Sequence, residues 1–218
     1  MNRLIRGIAL LACAIVVPIS MSGGGSETAA AQDSKDGWVS LFDGKTLSGW
    51  EFLPLRPGSK TNWEVQDGAI TGSGEPSMLF SPKGDYKNFQ FRAEVKINDH
   101  GNSGLYFRTA KKPSFSDGYE AQIDSSHNDP IRTGSIYTLV HIYKQLVPPD
   151  TWFTYEIDAQ DREYRAKTVT VIKVKVNGDL LYEYLDHDQL FKTGHFAFQQ
   201  HDPGSKVQIR KIEVKELP

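Results

Sequence analysis

Between Phe89 and Ile97 apolar and polar residues alternate without a fault. Successive side chains of a strand point to opposite faces, so Phe89, Phe91, Ala93, Val95 and Ile97 share one side and Gln90, Arg92, Glu94 and Lys96 the other. The same period runs through residues 102–108, 119–124 and 195–201, and residues 207–214 read as a last strand with Val207, Ile209, Ile212 and Val214 as its apolar positions. Residues 168–176 keep it with one phase slip at Ile172, which predicts a β-bulge there. Asn177-Gly178 predicts a type I′ turn, because both central residues must take positive φ, with residues 179–185 as the return strand. Asp43-Gly44, Asp67-Gly68, Lys83-Gly84 and Asp202-Pro203-Gly204 mark further turns. No segment holds a helical period for more than a turn or two. Short strands so spaced predict an all-β protein, a two-sheet antiparallel β-sandwich forming a single domain over residues 37–217.

Two neighbouring segments carry chemistry on one face. Leu105, Phe107, Ala121 and Ile123 share an apolar side; Asn102, Tyr106, Arg108, Glu120, Gln122 and Asp124 fall opposite. Amide, carboxylate, guanidinium and phenol groups on rigid strands suit a ligand covered with hydroxyls, such as a sugar. The plain alternative is a polar sheet face laced with salt bridges. Gln199 and His201 form a second constellation, in which the imidazole is a candidate general base, general acid or metal ligand, or a simple surface histidine. His195 has the same parity, but its place at the strand start points to a structural role. Arg108 either polarises a ligand oxygen or pairs with Glu120 or Glu94. Tyr106 and Tyr137 either stack on sugar rings or fill the sheet edge. Trp38, Trp50, Trp63 and Trp152 read as packing. Residues 111–116 and 138–149 are loops, the second carrying His141, Tyr143 and Lys144, and both suit the rim of a site.

The N-terminus and the composition narrow the setting. Arg3 and Arg6 precede a short apolar run from Ile8 to Met21 that Pro18 interrupts, and Ala29-Ala30-Ala31 fits a cleavage site. Residues 1–31 read as a signal peptide and 32–36 as a flexible leader, which predicts export to the periplasm or the extracellular space. Leu10-Leu11-Ala12-Cys13 is a lipoprotein-like alternative, weakened because the apolar run continues past the cysteine. The run is too short for a membrane span. Cys13 is the only cysteine, so the remaining chain has no disulfide and no thiol nucleophile. Removal of residues 1–31 takes away two arginines and one glutamate and moves the net charge from −2 to −3, which argues against nucleic acid as a partner.

Glu120 and Asp124 stand at the first and fifth positions of one strand. At about 3.3 Å per residue they lie roughly 13 Å apart. A retaining glycosidase needs its carboxyls about 5 Å apart and an inverting one about 6.5–9.5 Å apart. The pair fits neither, which weakens the reading as an ordinary endo-glucanase, although glucanases of the concanavalin A-like fold carry a similar-looking strand.

The chain resembles the 3-keto-disaccharide hydrolase domain family. The resemblance runs from about Trp38 to Leu217. It is carried by the opening Leu41-Phe42-Asp43-Gly44-Lys45-Thr46-Leu47-Ser48-Gly49-Trp50, by Trp63 and by Asp67-Gly68-Ala69-Ile70. Asn102-Ser103-Gly104 through Arg108, Gly118 through Asp124, Thr133-Gly134-Ser135-Ile136-Tyr137, Gly194-His195, Gln199-Gln200-His201 and Arg210-Lys211-Ile212 continue it. Asp202, where many members have Gly, and Thr151-Trp152-Phe153-Thr154 depart from the family pattern.

The resemblance implies a secreted jelly roll of the concanavalin A-like lectin/glucanase type. It also implies cleavage of glycosides already oxidised to a ketone at C3, for which the ketone acidifies the C2 proton and the aglycone leaves from C1 by elimination before water adds back. Such a site needs a base and hydrogen-bonding or positive groups, not a close acid pair. Glu120, Asp124 and His201 are then the acid or base candidates, and Asn102, Arg108, Gln122, Tyr137, Lys144 and Gln199 the substrate-binding ones. A divalent metal ion could assist, with no diagnostic ligand set. The partner is an oxidised glycoside or disaccharide, and the sequence does not fix the oligomeric state. The alternative of a different class is a non-catalytic glycan-binding module.

Overall fold

A computed structural model describes residues 36–218. The expected signal peptide and nearly all of the expected leader lie outside the described residues. Thirteen strands and no helix occur among the described residues. In chain order they are β1 (Val39–Ser40), β2 (Glu51–Pro54), β3 (Thr61–Gln66), β4 (Ala69–Gly74), β5 (Ser77–Phe80), β6 (Phe89–Ile97), β7 (Asn102–Thr109), β8 (Tyr119–Asp124), β9 (Phe153–Tyr164), β10 (Lys167–Val176), β11 (Asp179–Asp186), β12 (His195–Gln200) and β13 (Val207–Glu216). None of these residues forms a helix long and apolar enough to cross a membrane.

The strands form two antiparallel sheets. One has eight strands in the order β11-β10-β9-β6-β13-β4-β3, with β1 beside β13; the other has the order β2-β5-β12-β7-β8. The alternation of β6 becomes a strict alternation of buried and half-buried residues. The apolar sides of the two sheets meet in one core, where Phe89, Phe91 and Phe107 pack with Leu105, Ala121, Ile123, Phe196 and Phe198. Phe196 lies between Phe89 and Phe91, with ring centroids 4.7 and 4.5 Å away. Each fully buried side chain of this size contributes about 1.5–3 kcal/mol relative to exposure. The four tryptophans pack as expected. Trp50 stacks on Phe198 at 6.1 Å, Trp63 donates to the Ser77 hydroxyl, and Trp38 and Trp152 lie under Arg92 and Arg210.

Two local expectations meet different outcomes. The turn at Asn177-Gly178 has positive φ at both residues, as its type requires. The bulge expected at Ile172, however, is absent: β10 pairs with β9 in unbroken register, and its irregularity faces β11 between Val174 and Lys175. The phase slip in the sequence has another cause. Thr170 shares the inward side of Ile172 and Val174 and is fully buried because its hydroxyl meets Arg108 and Asp161, while Val169 and Val171 are buried on the other side.

Candidate active site

The outer face of the five-stranded sheet is as covered as a core. Every residue of β7 and β8 is buried. The register places Asn102 opposite Asp124, Gly104 opposite Gln122 and Tyr106 opposite Glu120. Gln199 on β12 donates to the Tyr106 hydroxyl at 3.2 Å, and that hydroxyl donates to the Phe115 carbonyl at 3.1 Å. Met78, Phe80 and Ala197 continue the face as an apolar floor beside Tyr106, with Phe115 packed on it.

Gly104 makes room for Glu120. A Cβ at Gly104 would come within 2.4 Å of Glu120 Oε1. Among the described residues no Lys or Arg pairs with the Glu120 carboxyl. Burial pushes its pKa up to about 8, against the nearby Tyr106 hydroxyl, which lowers it, and with the Asp129 charge, which raises it further. Its backbone is held on both sides, since the Tyr137 amide donates to the Glu120 carbonyl at 2.8 Å. Three buried acceptors with no hydrogen-bond partner lie on this face: Gln122 Oε1, Asp124 Oδ2 and Gln199 Oε1. Unmet buried acceptors are uncommon in native proteins, and sugar hydroxyls are donors that would meet them.

Asp124 lies on the same strand face but is committed to the following loop. Its Oδ1 accepts from the His127 amide and from Arg132 Nη1, both at 3.0 Å, and burial raises its pKa. Arg132 also donates to the carbonyl of His127, which fixes the loop that carries that imidazole. The His127 ring stands across from His201, with centroids 5.6 Å apart, and both face Asp202. Phe115 stacks on the His201 ring at 6.0 Å. His201 and Glu120 therefore reach one side of the sheet through Phe115 and Tyr106. His127 and Asp202 went unassigned in the sequence: His127 sits in a loop without periodicity, and its one signal is its place three residues after Asp124. Among the described residues, one group of His and acidic side chains brings metal-ligating atoms within 4.8 Å of one another: His127, His201 and Asp202.

Three other expected residues stand apart. Arg108 does not join the polar face. Its φ is 49°, and the pairing of β7 with β12 slips where His195 meets Thr109 and Ala197 meets Tyr106, so the side chain turns inward. There it is fully buried, paired with Asp161 at 2.9 Å and bonded to Thr170 and to the Lys87 and Phe191 carbonyls. It ties one sheet to the other and contacts neither Glu120 nor Glu94. Tyr137 lies at the margin, donating to Asp129 at 3.1 Å. Lys144 is exposed and makes no hydrogen bond or ion pair with the described residues. His195 Nδ1 donates to the Ser81 carbonyl, 2.9 Å away, a structural contact.

Fold and face together describe a lectin-type sandwich with a polar sheet face. The model of the 3-keto-alpha-glucoside-1,2-lyase-like domain matches residues 37–215, and the chain belongs to that family, the 3-keto-disaccharide hydrolase family of the sequence resemblance. A 3-keto-disaccharide hydrolase of Bacteroides thetaiotaomicron is 36% identical over 83 residues, a match spanning 33% of this chain and 27% of that relative. A putative glycosyl hydrolase from Parabacteroides distasonis superposes with a TM-score of 0.65 at 19% identity, covering 83% of this chain and 99% of the other. The carbohydrate-binding module CBM66 from Bacillus subtilis does so with a TM-score of 0.54 at 17% identity, covering 76% and 94%. At these identities the two structures share the fold.

Proposed function

We propose that the protein cleaves glycosides bearing a ketone at C3 of the sugar, with the oxidised ring held on the outer face of the five-stranded sheet. Glu120 carries this reading: a carboxyl on the site face with no cation beside it, which burial keeps protonated at neutral pH. A neutral carboxyl can donate to the C3 oxygen as that oxygen gains negative charge. Removal of the C2 proton sends its electron pair into a C1=C2 bond while the C1–O bond breaks and the aglycone leaves. Water then adds its hydroxyl to C1 and a proton to C2, so the net change is hydrolysis. Gln122 and Gln199 offer acceptors to the remaining hydroxyls. Family membership supports the substrate class, and the positive n-region with its alanine run supports export.

The test is incubation with a 3-keto-glucoside and with its unoxidised parent in deuterated water. Aglycone release from the ketone alone, with deuterium at C2 of the product, is the expected result. Equal cleavage of the parent sinks the elimination route. Sugar binding without cleavage of either compound would make the protein a glycan-binding module.

A further inference from the structure

We propose that Asp202 is a positioning residue that holds His201 in one tautomer, with the proton on Nδ1 and Nε2 free to take the C2 proton of the sugar. What His201 acts on rests on the 3-keto-glycoside reading; its tautomer does not. His201 Nδ1 lies 2.8 Å from Asp202 Oδ2. An ionised carboxylate only accepts, so the ring nitrogen facing it must donate. Asp202 is itself moored. Its Oδ1 takes the Gly204 amide at 2.8 Å, and its Oδ2 takes the Ser205 hydroxyl at 2.9 Å. Ser205 Oγ in turn accepts from the Asn102 amide at 2.9 Å, which ties the carboxylate to the start of β7. Phe115 fixes the plane of the imidazole and, through its carbonyl, the Tyr106 hydroxyl.

The titratable groups facing His201 are Asp202 and His127, with Asp124 behind His127 at 4.0 Å. His127 Nδ1 accepts from the Asp129 amide at 3.1 Å, which leaves its proton on Nε2, 3.8 Å from the same Asp202 oxygen. By distance alone His127, His201 and Asp202 would suit a metal ion. Two of the three, however, already turn protons toward the third, His201 through a hydrogen bond and His127 across 3.8 Å, so their lone pairs do not converge. In the reaction His201 Nε2 takes the C2 proton and becomes imidazolium, whose charge Asp202 offsets. The imidazolium returns that proton to the departing aglycone oxygen, so the histidine ends neutral.

The test joins ¹⁵N NMR of the His201 ring with kinetics on a 3-keto-glucoside. The wild-type ring should show the Nδ1–H tautomer. In Asp202→Asn the amide group can donate to Nδ1 instead, so the ring should shift toward Nε2–H and kcat should fall by about 10²–10⁴-fold with KM little changed. Asp202→Glu should restore part of the rate. Ser205→Ala, which keeps the carboxylate and loses one of its donors, should shift both readouts in the same direction and less, and serves if Asp202→Asn does not fold. A wild-type Nε2–H tautomer, unchanged kcat in Asp202→Asn, or uptake of one equivalent of Co²⁺ by His127, His201 and Asp202 overturns the proposal. The expected tautomers in a protein that cleaves neither sugar would uphold the positioning role and end the 3-keto-glycoside reading instead.

Discussion

Two buried ionisable side chains of this molecule meet opposite fates. Arg108, between the sheets, is surrounded by Asp161, Thr170 and two carbonyls. Asp161 is held below the ordinary carboxylate range, because the Arg108 charge and its hydrogen bonds outweigh the burial that would raise it. Glu120, on the outer face of the same sheet, has no cation beside it, and burial wins. Burial of a charge is tolerated where partners compensate it and otherwise drives the group neutral. The compensated site holds the fold, and the uncompensated one is free for chemistry.

The widest separation should come from removing each member. Arg108→Met takes from Asp161 its buried cation, leaving the Thr170 hydroxyl and Lys87 on the solvent side, and should cost about 3–5 kcal/mol in urea unfolding. Glu120→Gln, nearly isosteric, should match wild-type stability below about pH 4.5 and exceed it at neutral pH, where the unfolded wild-type chain has ionised, while lowering turnover of a 3-keto-glucoside by about 10²–10⁴-fold. If Arg108→Met unfolds like wild type, the contrast fails on its structural side.

The pH dependence sharpens it. Glu120 binds its proton in the folded state up to a pKa of about 8, against an ordinary 4.5 when unfolded. Between those values the native state holds a proton that the unfolded chain has lost, so stability falls as pH rises, by up to about 1.4 kcal/mol per pH unit, and levels off above pH ~8. Unfolding of wild type and Glu120→Gln across this range should show that slope in the difference between them; parallel curves would mean Glu120 titrates normally. Turnover should fall above pH ~8 with the same group, since its protonated form is the active one.

Smaller effects complete the comparison. Gly104→Ala forces a methyl against Glu120 Oε1 and should cost about 1–3 kcal/mol together with a loss of turnover, read by thermal unfolding and kinetics. Lys87 pairs with Asp161 at 3.5 Å from the solvent side, so Lys87→Ala should change stability by less than about 1 kcal/mol, in contrast to Arg108→Met.

The same division separates what the sequence discloses from what it hides. Alternation found β6, the inward aromatics of β12 and the polar side of β8, because burial selects residues locally at period two. It failed at Arg108, where the direction of the side chain is set by a register slip against β12, a strand about ninety residues further along the chain. It failed at Ile172 for a linked reason: Thr170 is inward only because Arg108 and Asp161 meet it there. Glu120 was legible as a polar position on a strand, and His201 by the parity of β12, although it stands one residue past the end of that strand. The Asp202 contact was not, since a departure from a family pattern gives no geometry, and His127 is brought to His201 by a loop that Asp124 and Arg132 fold.

The segment from Thr133 to Tyr137 has a further consequence. β8 ends its sheet, and an unpaired edge strand is a template for another chain. Here that edge is closed from within: Thr133 donates to the Asp124 carbonyl, the Gln122 amide to Ser135, and Tyr137 to the Glu120 carbonyl, at 2.9, 3.0 and 2.8 Å. The closed positions are those whose side chains line the site. Residues 36–218 contain no cysteine, so no disulfide guards this chain against strand exchange. The segment takes that part, and the strand that carries the candidate site residues is closed against recruiting a neighbour into an aggregate.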